Sequence, residues 1–182
     1  MEKKEKVIGT RVSDKLMNDI LEYSNEKNIR VSKLIREALS YYMLFKLEHE
    51  KQNVPIVIIS KAEYSTILGL LDDEGLEKLA DVCVQLAKKG FYYSSNNIKS
   101  FLRSLDTYVF SDKNQNWFKS FQTNFQGDRL LVAGVHDLNE NFSLFMKYYI
   151  EKIVALYSYE LTKQTLLELK IILEFRKLDN KE

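Results

Sequence analysis

The first fifty residues restrict this chain more than any other stretch. Lys6–Val12 reads as a short strand, and two amphipathic helices follow it directly, split at Asn28-Ile29-Arg30-Val31. Ser13 opens the first helix as an N-cap, with Asp14 in the first turn where the helix dipole favours an anion. Leu16, Ile20 and Leu21 follow Val12 at helical spacing, with Tyr23 beside them. Ser32 opens the second helix, which carries Leu34, Ile35, Ala38, Leu39 and Tyr42 on its apolar side. A strand and two helices of this size cannot enclose those faces alone. The segment therefore asks for a second copy of itself, and the sequence predicts a homodimer or a higher oligomer.

Alternation places Ile8, Thr10 and Val12 on one face of the strand and Val7, Gly9 and Arg11 on the other. Burying Arg11 unpaired in so small a core would cost several kcal/mol, so Arg11 points outward. There its guanidinium can reach guanine O6 and N7 in a major groove. Gly9 permits a close backbone approach. Lys3, Lys4 and Lys6 form a basic arm suited to phosphates. The free N–H groups at the start of the second helix, beside Ser32 and Lys33, suit a phosphate as well. Arg36 is read more simply, as a surface or intersubunit salt bridge with Glu37 or a neighbouring acid.

Thr10-Arg11-Val12-Ser13-Asp14-Lys15-Leu16 and Ser32-Lys33-Leu34-Ile35-Arg36-Glu37-Ala38-Leu39 together resemble the ribbon-helix-helix family of DNA-binding proteins. The resemblance covers roughly the first quarter of the chain. It implies a dimeric β-ribbon inserted in the major groove of double-stranded DNA. Base reading then maps onto Arg11, with Val7 and Gly9 beside it, and phosphate anchoring onto Ser32 and Lys33. Three departures stand out: Thr10 at an inward position that is usually aliphatic, Val7 and Gly9 at outward positions that are usually polar, and Asn28 where glycine is common.

The length of 182 residues suits two small domains, 1–50 and 54–182. The second helix can run on through Met43–Leu47 before the chain becomes charged, and Pro55, the only proline, forbids helix beyond. Net charge is only +1, so any basic surface for DNA must be local to the N-terminus. A lone cysteine, Cys83, excludes an internal disulfide framework and points to a reducing cytoplasm. No signal peptide and no apolar run long enough to cross a bilayer is visible, so no membrane partner is expected.

Val54–Ile59 reads as a buried strand, and Ser60-Lys61-Ala62-Glu63 as a capping box that opens a helix. A helix over about Asp73–Lys89 follows, then one capped by Asn97. Trp117–Phe125 and Arg129–Val135 form a hairpin around Gln126-Gly127-Asp128. Asn139–Tyr157 is helical, and alternation over Leu167–Arg176 predicts a final strand, with a helix as the other possibility. The whole is α+β. Its second half follows the split βαβ order of a ferredoxin-like domain with extra helices, an order that ligand-sensing domains of the ACT type resemble.

His136-Asp137 directly follows a strand and precedes a helix, a junction where ligands often bind, so the pair is the candidate effector site. The plainer account makes Asp137 and Asn139 helix caps. His49, His136 and Cys83 are too few for a soft metal site, and no cofactor is implied. No nucleophile elbow, phosphate loop or zinc-protease pattern is present, so no enzyme is expected. The expected function is a DNA-binding transcriptional regulator whose C-terminal domain assembles dimers or senses a small-molecule or protein effector. An interaction protein, such as an antitoxin or a plasmid maintenance component built on the same dimer, is the alternative.

Overall fold

A computed structural model describes residues 9–43, 59–89, 97–106, 110 and 117–178. The chain divides into two compact units, Met1–Leu47 and Glu48–Glu182.

The first unit is a helix pair. Helix α1 (Asp14–Glu26) is capped by Ser13, whose Oγ accepts from the Leu16 N–H at 3.3 Å. Lys27 closes it, and Asn28 takes the left-handed turn at φ 50° that asparagine tolerates. Ser24 Oγ donates to the Ile29 carbonyl and ties the turn to α1. Helix α2 (Val31–Tyr41) begins one residue earlier than Ser32 would cap it. Arg30 is its N-cap and makes no side-chain capping bond.

The expected ribbon is not there. Gly9–Ser13 forms no strand, and the one sheet among the described residues lies at 120–177. Residues 6–8 of the expected strand lie outside the described residues. The ribbon-helix-helix assignment therefore does not hold. Gly9 and Thr10 give this short segment little reason to stay in a ladder, and no strand of the sheet pairs with it.

The second unit is α+β. Helix α3 (Lys61–Gly69) opens on a complete capping box. Ser60 Oγ accepts from Glu63 N–H, and the Glu63 carboxylate accepts from Ser60 N–H at 2.7 Å. Helices α4 (Asp73–Lys89) and α5 (Ile98–Leu105) follow, the latter capped by Asn97. The hairpin β1 (Ser120–Gln126) and β2 (Arg129–Val135) turns at Gly127, whose φ of 62° suits glycine in a two-residue loop. Helix α6 (Glu140–Ala155) then leads to a second hairpin, β3 (Tyr159–Leu167) and β4 (Lys170–Lys177). All neighbours are antiparallel, in the order β1-β2-β4-β3.

This is two hairpins joined by a helix, not the split βαβ order. The expected single strand over Leu167–Arg176 contains a turn at Glu168-Leu169. The expected strand over Val54–Ile59 lies outside the described residues, apart from Ile59, which is not in a strand.

Alternation works where a face is buried. Leu130, Val132 and Gly134 on β2 stand opposite Phe175, Leu173 and Ile171 on β4, all buried. Phe142, Phe145, Met146, Tyr149, Ile150, Ile153 and Val154 cover about half the circumference of α6, so this helix packs against both the sheet and α4. Lys152 on α6 bridges Glu77 at 3.0 Å and Asp81 at 2.8 Å on α4, and the bond to Asp81 chiefly raises its pKa. Tyr148 donates to Asp73 Oδ1 at 2.7 Å, which pushes its hydroxyl up to about 12.

Gly134 is required by a close approach. A Cβ there would sit 2.5 Å from Cε1 and 2.7 Å from Cδ1 of Phe118, a ring buried within a cluster with Phe110, Phe121 and Phe142. Gly134→Ala is expected to cost about 1–3 kcal/mol of stability in denaturant unfolding. A neutral result would show that the ring has room to move.

Candidate functional site

His136 sits where β2 ends and the turn into α6 begins. Its ring is 1% exposed and lies edge-on to Phe118 and Phe142. Its bonds fix its tautomer. Ser143 Oγ donates to the Leu167 carbonyl at 2.7 Å, so it accepts from His136 Nε2–H, also at 2.7 Å. Nδ1 is then bare and accepts from the Leu138 N–H at 3.3 Å. The His136 N–H donates to the Leu169 carbonyl at 3.0 Å. Both ring nitrogens are occupied, and the neutral imidazole ties β2, α6 and the β3–β4 turn together. Burial pushes its pKa down to about 4, only partly opposed by the charge of Asp137.

Asp137 faces outward. Lys61 Nζ donates to it at 2.6 Å and Lys119 Nζ lies 4.0 Å away. The hydrogen bond from Lys61 is the main reason its carboxyl is held below the ordinary range. Asn139 caps α6 through Phe142 N–H and donates to the Ser65 carbonyl, while Asn141 donates to the Leu68 and Leu71 carbonyls. The junction is thus a structural knot that clamps α3 to α6. Ser143, Lys61 and Lys119 were not picked out from the sequence. Ser143 alone left a signal, a small polar residue inside the apolar stripe of α6.

An open groove of about 570 Å³ crosses the outward sheet face between Asn124, Arg129, Leu131, Lys163 and Arg176. Within it Lys163 pairs with Glu174 at 3.5 Å, and Arg176 reaches Asp128, outside the groove lining, at 3.4 Å. Cys83 is half-buried, and burial lifts its thiol to about 11, which leaves it an unreactive thiol.

The helix pair carries a set of exposed apolar side chains. Among the described residues of the first unit, Ser24 is the only buried one. Val12, Leu16, Met17, Leu21, Tyr23, Ile35, Leu39 and Met43 each keep 37–52% of their surface exposed. Arg11 and Gly9 lie exposed in the extended segment before α1, and no atom stands within 4 Å of where a Gly9 Cβ would be. Ser32 is exposed on the first turn of α2, and Lys33 pairs with Glu37 at 3.8 Å, the acid expected for Arg36. Val7, Lys3, Lys4 and Lys6 lie outside the described residues.

His136 supplies a pH test. Its folded pKa lies below the ordinary 6.5, so its contribution is fully present above pH 6.5 and is lost as pH falls toward 4. Stability attributable to it is expected to drop by about 2 kcal/mol over that window. Denaturant unfolding of His136→Gln should show a correspondingly shallower pH slope than wild type; equal slopes would contradict the assignment.

Comparisons with protein families, with curated proteins and with solved structures found no match to this chain.

Proposed function

We propose that the chain is a DNA-binding regulator that dimerises through its N-terminal helix pair, with the C-terminal unit serving assembly or effector sensing. The observation that carries this proposal is the division of charge between the two units. Residues 1–47 hold ten Lys and Arg against seven Asp and Glu, whereas residues 48–182 hold 17 against 19. Within the helix pair the basic groups gather at α2, where Arg30, Lys33 and Arg36 outnumber Glu37. Helix α1 is acidic, with Asp14, Asp19, Glu22 and Glu26 against Lys15.

The opening of α2 therefore combines an uncapped helix terminus, the Ser32 hydroxyl and nearby cations, a combination that favours a phosphate. Arg11, exposed ahead of α1, is the candidate for a base contact. The basic arm Lys4 and Lys6 adds phosphate contacts. Dimerisation supports this use of the unit in two ways. It covers the apolar side chains, at about 1 kcal/mol for each half-buried residue, and it doubles the cationic surface offered to one duplex.

The test is fluorescence anisotropy of the full chain with a random-sequence duplex over a salt series. Binding should weaken steeply with salt, and Lys33→Ala and Arg30→Ala should each flatten the log–log slope by roughly 1. Leu39→Glu should abolish pairing through the helix pair and, with it, the DNA binding. Absence of binding by an intact dimer at low salt would sink the proposal.

A further inference from the structure

Among the described residues β1 is an edge of the sheet, and its own sequence carries none of the usual edge protections. Its residues Ser120-Phe121-Gln122-Thr123-Asn124-Phe125-Gln126 carry no charge and no proline, and its pairing with β2 is free of bulges. The opposite edge, β3, is protected in the usual ways. Glu160 and Lys163 stand exposed on it, and the register shifts at Thr162.

The hairpin turn decides which backbone groups of β1 point away from the sheet. Gln126 and Arg129 close a two-residue loop and so exchange hydrogen bonds, as Asn124 with Leu131 and Gln122 with Ala133 then do by alternation. The N–H and C=O groups of Phe121, Thr123 and Phe125 therefore point outward. Among the described residues, none of these groups has a partner.

Read about Thr123, the strand is nearly a palindrome. Antiparallel pairing on a two-fold axis at Thr123 sets it against Thr123 of a second copy, Phe121 against the second copy's Phe125, and Gln122 against its Asn124. Hydroxyl meets hydroxyl, ring meets ring and amide meets amide, each a favourable cross-strand pair. Phe121 and Phe125 are only half-buried in one copy, so the pairing would cover their remaining edges. The same axis sets Lys119, just before the strand, opposite the second copy's Gly127 and one residue short of its Asp128; within one chain the Lys119 and Asp128 side chains lie 4.0 Å from Asp137 and 3.4 Å from Arg176. Both side chains are more than half exposed, at 62% and 57%.

The geometry points to β1 as a self-pairing edge that joins two copies of this chain into one continuous antiparallel sheet. The contact is isologous and joins two copies, and the protected β3 edge does not extend the sheet further. It specifies the assembly role given above to the C-terminal unit, yet it needs neither DNA binding nor the helix pair, so either can fail alone.

The test is mild oxidation of the full chain carrying Thr123→Cys, with wild type, which keeps Cys83, as the blank. Directly opposed residues would have Cα atoms about 5.5 Å apart, within disulfide reach. A disulfide-linked dimer is expected from Thr123→Cys and not from Lys163→Cys on β3, and it should persist when Leu39→Glu disables the helix pair. In that Leu39→Glu background, Thr123→Pro removes an outward N–H, which an edge strand tolerates. It should weaken self-association at least tenfold while leaving the melting temperature of the dilute chain within about 3 °C. Equal cross-linking at both edges, or Thr123→Pro associating as tightly as its background, would overturn the proposal.

Discussion

Two amphipathic helices offer each other only one edge of their apolar stripes, and whatever lies beyond that edge needs a third surface. Helices α1 and α2 meet this limit without relief. Their turn is well made, with Ser13 capping, Asn28 in a left-handed conformation and Ser24 bonded to the Ile29 carbonyl. Local order of this kind sets the geometry of a helix pair but supplies little of its stability, which in proteins comes chiefly from packing an apolar face. Leu16, Leu21, Ile35 and Leu39 remain half in solvent. In the proposed function a second copy of the chain covers these side chains.

The C-terminal unit differs in having a buried core of its own, although Leu70, Val82 and Leu167 also stay exposed. α6 is buried on two sides, the rings of Phe118, Phe142 and Phe145 fill the space around it, and His136 is locked into the same core by Ser143. Each element of this unit reinforces the next: caps fix α3 and α6, asparagines clamp one to the other, and Lys152 ties α6 to α4. A unit so complete can fold around its own core while leaving an outward sheet face and the β1 edge for contacts with other molecules.

Much of this second unit was legible in the sequence because its signals are local. The capping box at Ser60, the caps Asn97 and Asn139, the limits of α4 and the strand Arg129–Val135 all lie where residue type and spacing put them. The β3–β4 hairpin was hidden for a physical reason. Its turn, Glu168-Leu169, contains no glycine, asparagine or proline, and Leu167, Leu169 and Ile171 keep alternating straight through it. The bulge at Thr162 also blurs the period of β3. The N-terminal ribbon failed differently, since apolar alternation over a few residues states a preference for a strand and not the presence of a pairing edge. His136 was visible as a candidate, but its role turns on Ser143 and the carbonyls of Leu167 and Leu169, which no sequence spacing brings together.

The central claim is that the helix pair is held together by a second copy of itself. Hydrogen exchange of the full chain at several protein concentrations tests it most directly. Amides of α1 and α2 should gain protection as concentration rises through the dimer dissociation constant, while those of β2, β4 and α6 stay protected throughout. Strong, concentration-independent protection of α1 and α2 down to the most dilute monomer would contradict the account.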